Sequence, residues 1–537
     1  MQQTFIQYIY LILIILLLVM AANRFKVAYP IVLVLGGLML GFTDGFSRVQ
    51  IDPELIFFIF LPPLLYEAAW QTSWKEFWRW RRVITSFAFP IVLVTSCVVA
   101  FVSSALLPGF TLALGFLLGG ITAPPDAISA TSVVKTVKVP KSLVSIIEGE
   151  SLLNDASSLI VFRFALAAVV TGQFVFREAA TSFFLVIVMG IVIGLAVGLI
   201  FYAIHRFLPT TSSMDIVLSF VTPYCMYYFA EEFHFSGVLA VVSGGLLLSN
   251  KQHKMLTHAS RIQGATVWST VGFVVNGIIF LLIGMQLPGI VAGLGDTSLG
   301  RAIWYGLLIS LVLIVTRLLC TLGASLFTRM MSHIITVADP NPGWKGPLIF
   351  GWAGMRGVVS LAAALSIPIY LDDGQVFPQR NLILFITFVV ILVTLVFQGL
   401  TLPWLIRKVN PEDRYQALPE AEQEQIIKNK IAAYSLRFLE EHYASEIVHN
   451  VHLANLRSRL KIELAHAPAG LPAADGSSHD AALAHRNISL ALLEEQRRLL
   501  HKMNGRSEFD EDIIRRHLSL LDLEETKLRQ QFGGEPE

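Results

Sequence analysis

Charge is what this chain has least of. Asp, Glu, Lys and Arg make up 15% of its 537 residues, against roughly 25% in a soluble globular domain, while apolar residues make up 54%. That balance excludes a soluble domain for most of the chain and fits an all-α polytopic membrane protein. The net charge is +1. Bulk charge therefore says nothing about a nucleic-acid partner, and none is expected. Cysteine is scarce too. Cys97, Cys225 and Cys320 each fall inside an apolar run, and their spacing matches neither a metal site nor a disulfide framework. They read as small buried hydrophobes. The first apolar run, Phe5 to Met20, lacks a preceding positive charge; Arg24 and Lys26 come after it. It reads as a retained first helix rather than a cleaved signal.

What the chain has in place of charge is a few carboxylates in costly positions. The segment Ile147-Glu148-Gly149-Glu150-Ser151-Leu152-Leu153-Asn154-Asp155-Ala156 runs on through Leu159, Ile160, Val161 and Phe162 as one apolar span. Carboxylates at bilayer depth are rare and face polar pathways. On a helix, Glu148, Ser151 and Asp155 share one face, and Glu150 and Asn154 share the adjoining one. The stripe offers hard oxygen ligands suited to a small cation or a proton, and no soft set for a transition metal.

About thirteen spans are expected at 5–22, 27–42, 53–69, 83–106, 110–134, 142–171, 180–206, 213–232, 235–249, 262–287, 300–328, 346–370 and 381–406, at roughly 20 apolar residues per crossing. Loop charge tests the count. One set of alternating loops carries 17 Lys and Arg, from Arg24 and Lys26 to Arg407 and Lys408; the other carries only the 4 residues Arg48, Arg177, Arg301 and Arg380. The positive-inside rule places the N-terminus outside and the C-terminus in the cytoplasm, which needs an odd number of spans. Trp70, Trp74, Trp78 and Trp80 lie beside Arg79, Arg81 and Arg82 and read as an interfacial belt.

Two spans are interrupted. Gly119-Gly120-Ile121-Thr122-Ala123-Pro124-Pro125-Asp126-Ala127 breaks the fifth, because consecutive prolines cannot continue a helix. Gly351-Trp352-Ala353-Gly354-Met355-Arg356-Gly357-Val358-Val359-Ser360 breaks the twelfth and buries an arginine. Non-helical backbone at membrane depth is tolerated only where protein buries it or it lines a cavity. Paired interruptions in distant halves of the chain point to an inverted-repeat transporter site. Their opposite charges predict an Asp126–Arg356 pair. Glu67, after Leu61-Pro62-Pro63-Leu64-Leu65-Tyr66, and Arg317 also need partners within the membrane. A Glu150–Arg317 pair would leave Asp155, beside neutral Asn154, able to take up and release a proton. Arg163 is placed near the outer headgroups, with no role.

From about Pro411 the composition changes: residues 411–537 carry 22 acidic and 16 basic side chains and 8 of the 13 histidines. The expected division is a membrane domain, 1–410, and a cytoplasmic helical domain, 411–537. The second has helical spacing from Leu436 to Leu464, a linker from Ala467 through Ser478, and helical stretches at about 480–504 and 507–530. It shows no phosphate loop and no nucleophile–base arrangement. Regulation, partner binding and assembly are its open roles.

Together these motifs resemble the monovalent cation:proton antiporter family that contains bacterial NhaP-type antiporters and eukaryotic sodium/proton exchangers. The resemblance covers about residues 5–408. It rests on Glu148-Gly149-Glu150-Ser151-Leu152-Leu153-Asn154-Asp155, on Leu61-Pro62-Pro63-Leu64-Leu65-Tyr66-Glu67, on Arg317 and on Gly354-Met355-Arg356-Gly357. It implies a homodimer, each protomer with a dimerisation domain and a six-helix core containing two crossed, broken helices. It implies that Asp155 binds the ion and the proton, with Ser151 an auxiliary ligand and Glu67 and Asn154 completing the site, so that Asp155, Ser151 and Glu67 would meet Na⁺. Backbone ligation falls to Pro125 and Thr122. Asp126 with Arg356 and Glu150 with Arg317 are structural ion pairs. The Asn-Asp pair resembles the electroneutral branch, one cation for one proton. One departure is the order Pro125-Asp126-Ala127, where family members commonly show Asp-Pro.

The resemblance implies Na⁺/H⁺ exchange without enzymatic activity or a cofactor, in a bacterial inner (plasma) membrane, with Li⁺ or K⁺ as alternative cations. A passive channel would need a filter of carbonyl or charge rings, and no filter-like motif repeats. An intramembrane hydrolase using Asp126 and Asp155 has no sign of a peptide site. Export of an organic cation would call for more aromatic lining than these small polar side chains provide.

Overall fold

A chain in lipid must satisfy its own backbone polar groups, and a helix does so within one segment. The computed structural model describes residues 2–43, 56–134, 139–173, 176–295, 297–334, 341–371, 374–411, 420–465 and 520–528, with isolated positions between them. Apart from turns and one isolated antiparallel bridge between Tyr370 and Val376, the described residues are helical. The chain divides into two compact units, Met1–Tyr415 and Gln416–Glu537.

The helices of the first unit follow its apolar runs: α1 (Gln2–Phe25), α2 (Tyr29–Gly41), α3 (Leu61–Gln71), α4 (Trp74–Ser86), α5 (Val92–Leu106), α6 (Leu112–Thr122), α7 (Ala127–Val134), α8 (Lys141–Thr171) and α9 (Phe176–Phe207). They continue with α10 (Ser212–Glu232), α11 (Gly237–Met255), α12 (His258–Met285), α13 (Leu287–Ala292), α14 (Leu299–Met331), α15 (Lys345–Trp352), α16 (Val358–Leu365), α17 (Arg380–Val393) and α18 (Gly399–Val409). Widened π turns at Ile56–Phe60, Phe87–Ile91 and Thr394–Gln398 lead into α3, join α4 to α5 and join α17 to α18.

Among the described residues, 7 stretches are long and apolar enough to cross a bilayer: Trp74–Leu106, Leu112–Val134, Lys141–Thr171, Ala180–Phe207, Ala259–Ala292, Leu299–Met331 and Arg380–Val409. Helices also stand at the remaining expected positions. They are shorter or more polar or, as in α15 and α16, split into halves of 8 residues each.

The fourth span begins at Trp74 rather than at residue 83. Ser73 caps α4 by accepting the Glu76 N–H, and the π turn absorbs Pro90, so one helical stretch runs to Leu106. The expected aromatic belt divides across this helix. Trp74 and Trp78, four residues apart, share an exposed face and stack, with Arg81 over the Trp78 ring at 4.5 Å. Trp80 points the other way: it is buried and donates Nε1–H to Glu76 Oε2 at 3.2 Å.

In the second unit, α19 (Glu420–His442), α20 (Ala444–His449) and α21 (Val451–Ala465) fold back on one another. Arg457 Nε donates to Glu440 Oε1 at 2.8 Å. The helix expected from Leu436 to Leu464 is interrupted at Tyr443 and at Asn450, whose backbone is extended. The linker expected from Ala467 through Ser478, and much of the stretches at about 480–504 and 507–530, lie outside the described residues, as do the loop charges Arg48, Lys135 and Lys138.

Among the described residues, α2 packs closely against α12. A β-carbon at Gly37 would overlap the Leu281 carbonyl, and one at Gly284 would overlap the Val34 carbonyl. Small residues allow this close backbone approach in membrane bundles. Backbone cannot yield as a flexible side chain can, so Gly284→Val is expected to destabilise the fold by about 1–3 kcal/mol or more. A thermal melt of the purified variant in detergent, compared with the parent, checks this.

Candidate functional site

The site is built where the two interruptions meet. α6 stops at Thr122, Pro124 and Pro125 carry the chain across, and α7 restarts at Ala127. Asp126 caps that restart: Oδ1 accepts Ile128 N–H at 3.1 Å, and Oδ2 accepts Ser129 N–H at 3.3 Å and the Ser129 hydroxyl at 2.5 Å. Its own N–H donates to Met355 O at 2.7 Å, which ties one break to the other. Gly357, just before α16, leaves no room for a side chain, because a β-carbon there would overlap the Asp126 carboxylate. Asp126 therefore lies at the N-terminal, partly positive ends of two half-helices.

Arg356 does the converse. It is fully buried, and its guanidinium donates to Thr122 O at 2.9 Å, Ala123 O at 3.4 Å and Gly354 O; its backbone N–H donates to Thr394 Oγ1 at 3.0 Å. These carbonyls belong to the C-terminal ends of α6 and of the chain leaving α15. The expected Asp126–Arg356 ion pair is thus replaced: no direct pair joins them among the described residues. A break at membrane depth strands backbone groups of both signs, and each charge is held by the stranded groups of the opposite sign.

Beside the breaks runs α8. Glu150 and Arg317 of α14, both buried, form a two-pronged pair, Nη1 to Oε1 at 2.8 Å and Nη2 to Oε2 at 2.9 Å. Arg317 Nε adds Phe350 O at 3.3 Å. Ser151 Oγ accepts the Ala127 N–H at 3.1 Å, and Asn154 Nδ2 donates to Pro125 O at 3.0 Å. Ser157 donates to Ala88 O at 2.5 Å and Ser158 to Gly120 O. The buried Asn154 Oδ1 has no hydrogen-bond partner.

Asp155 is 8% exposed and lines a small cavity shared with Pro124, Pro125, Asp126, Gly357, Val359 and Ser360. Among the described residues its carboxylate accepts no hydrogen bond and pairs with no arginine. Thr122, expected as a backbone ligand, is outside that lining: its carbonyl takes Arg356, and its hydroxyl bonds Leu118 O at 2.8 Å. Ser151 is also outside it. Glu67 accepts from Gln71 Nε2 at 2.9 Å and packs where α12 has Gly272 in place of a side chain. Tyr29 lies within electrostatic reach of both Glu67 and Asp126.

Three features escaped sequence reasoning. Ser360 faces the cavity from the first turn of α16; its only signal was its place just past the second break. Arg163 pairs with Glu231 of α10 at 2.5 Å rather than being left to headgroups. A buried cluster links α9, α10 and α12: His205 Nδ1 lies 2.8 Å from Asp215 Oδ1, and the Ser260 hydroxyl donates to Asp215 Oδ2 at 2.7 Å.

Two interrupted helices meeting around a buried carboxylate, within a multi-pass membrane bundle, are the architecture of a secondary transporter. Residues 10–408 match the family described as sodium/hydrogen exchanger, transmembrane, and the chain belongs to that family. It is 33% identical over 420 residues to the sodium, potassium, lithium and rubidium/H(+) antiporter of Bacillus subtilis (strain 168), covering 74% of this chain and 61% of that relative's length. It is 31% identical over 525 residues to the uncharacterized Na(+)/H(+) exchanger YjcE of Escherichia coli (strain K12), covering 94% of each chain. The fold is similar to that of the sodium proton antiporter MjNhaP1 from Methanocaldococcus jannaschii, with a TM-score of 0.61 at 20% identity, covering 76% of this chain and 100% of that one.

Breaking a buried pair by removing one partner costs about 3–5 kcal/mol, because a charge is left uncompensated. Arg317→Met is expected to destabilise the protein on that scale, and adding Glu150→Gln is expected to recover part of the loss. Thermal unfolding of the two variants in detergent checks both statements.

Proposed function

We propose that the protein is a secondary active antiporter exchanging Na⁺ for H⁺, one for one and without net charge movement, through competition at Asp155. The observation that carries the reading is the contrast among the buried charges. Glu150, Arg317, Asp126 and Arg356 are all engaged, whereas Asp155 faces a small polar cavity with no counter-ion among the described residues. A carboxylate held by an arginine could not exchange its proton readily; this one can carry a proton or a cation in turn. Alternating access then presents the loaded site to either side of the membrane.

Asn154, Ser151 and Thr122 act in this reading by holding the first break in shape. Pro125 offers the cavity backbone, and Glu67 supports the site from α3. The protein has thirteen crossings arranged as inverted repeats, with the N-terminus outside and the C-terminus in the cytoplasm, and it works as a homodimer in the bacterial inner membrane. Residues 1–410 carry exchange, and 411–537 form a cytoplasmic helical domain with a regulatory role. K⁺ or Li⁺ in place of Na⁺ is the second reading, favoured by the breadth of cations in the name of the Bacillus subtilis relative.

The test is proton flux in sealed liposomes holding purified protein and an internal pH dye. Added Na⁺, but not choline, is expected to alkalinise the interior at a rate indifferent to a clamped membrane potential. Asp155→Asn is expected to abolish the response while the protein stays folded. Coupled exchange persisting in that variant would overturn the assignment.

A further inference from the structure

We propose that the Ser360 hydroxyl is a direct ligand of the transported cation, the side chain that meets it from the second broken helix while Asp155 meets it from α8. The inference rests on the exchange reading above and deepens it.

Among the described residues, two side chains around the cavity present an oxygen that takes part in no hydrogen bond, whereas the other polar groups named for the site are engaged. Both Asp126 oxygens accept hydrogen bonds at the start of α7, and the Pro125 carbonyl accepts from Asn154. Ser151, the hydroxyl that the sequence pointed to, accepts the Ala127 N–H and does not line the cavity. Among the described residues, the lining side chains that present an oxygen without a hydrogen bond are Asp155 and Ser360.

Ser360 is 2% exposed, and its hydroxyl makes no hydrogen bond among the described residues. Other serines in these helices bond back to a carbonyl three or four residues earlier, as Ser310 does to Gly306 O at 2.7 Å and Ser366 to Ala363 O at 2.8 Å. Ser360 makes no such bond among the described residues. It lies in the first turn of its helix, with Gly357 as the N-cap and Arg356 in the break before it.

A hydroxyl suits both loaded states of the site. Its lone pairs are hard ligands for a bare cation, and it can equally exchange a hydrogen bond with a protonated carboxyl group. A cation needs several oxygens around it, whereas a proton needs only Asp155. Removing the hydroxyl should therefore weaken cation binding more than proton binding and let protons compete better.

The test uses the full-length protein in the same liposomes, with Na⁺ titrated against wild type, Ser360→Ala, Ser360→Thr and Asp155→Asn. Ser360→Ala is expected to raise the KM for Na⁺ about tenfold, with Vmax within about twofold. At a fixed Na⁺ concentration that saturates the wild type, half-maximal exchange is expected to move to higher pH by up to about one unit, since protons compete better for Asp155 once the ion is held more weakly. Ser360→Thr, which keeps the hydroxyl, is expected to stay within about threefold of the wild-type KM. A Ser360→Ala protein with wild-type KM and pH profile, beside a dead Asp155→Asn, overturns the Ser360 assignment and leaves the exchange reading standing. A fall in Vmax at unchanged KM marks a structural role and overturns it as well. Wild-type protein that moves no protons in response to Na⁺, Li⁺ or K⁺ removes the exchange reading and this inference with it. If Ser360→Ala does not fold, Ser360→Cys decides: its soft sulfur must raise the Na⁺ KM, and a wild-type value there overturns the proposal.

Discussion

The rest of the site depends on how the protein satisfies helix ends in a medium without water. Two interruptions leave backbone N–H and C=O groups stranded within one bundle, and each stranded group is costly in a low-dielectric interior. Arg356 gathers carbonyls from both breaks, and Asp126 gathers the amides that start α7 while lying against Gly357. Once these two charges are committed to the backbone, neither is available to neutralise Asp155. A carboxylate left facing a cavity follows from solving the helix-end problem with side chains.

Around that carboxylate, buried hydrogen bonds and an ion pair tie the helices to one another. The Glu150–Arg317 fork holds α8 to α14, and Ser157 and Ser158 hold it to Ala88 and Gly120. Ala88 lies in the widened turn at Pro90, so a local irregularity in one helix supplies an acceptor to another. Asn154 and Ser151 hold the first break from the same helix that carries Asp155.

Much of this was legible in the sequence. Long apolar runs can be satisfied in lipid only as helices, so the helix positions follow from composition, and observed boundaries such as Lys141–Thr171 and Arg380–Val409 lie close to those expected. Pro124-Pro125 and the glycines around Arg356 marked both breaks because backbone chemistry forbids a regular helix there. The tail was less legible. Its polar spacing predicted helices but not the stops at Tyr443 and Asn450 that let α21 fold back on α19.

By itself the sequence determined which segments are helical, where two of them break and which charges are buried, because these depend on local backbone chemistry and on the cost of charge in lipid. Only the tertiary structure decided which groups those charges serve. Asp126 and Arg356 are opposite in charge, yet each binds helix ends, a choice made by the approach of residues more than 200 positions apart. The same holds for the hydroxyls. Ser151 and Ser360 are alike in composition, but one meets an amide and the other faces the cavity. Spacing along one helix cannot reveal what a second helix brings to its face; that is settled only when the two breaks pack against each other.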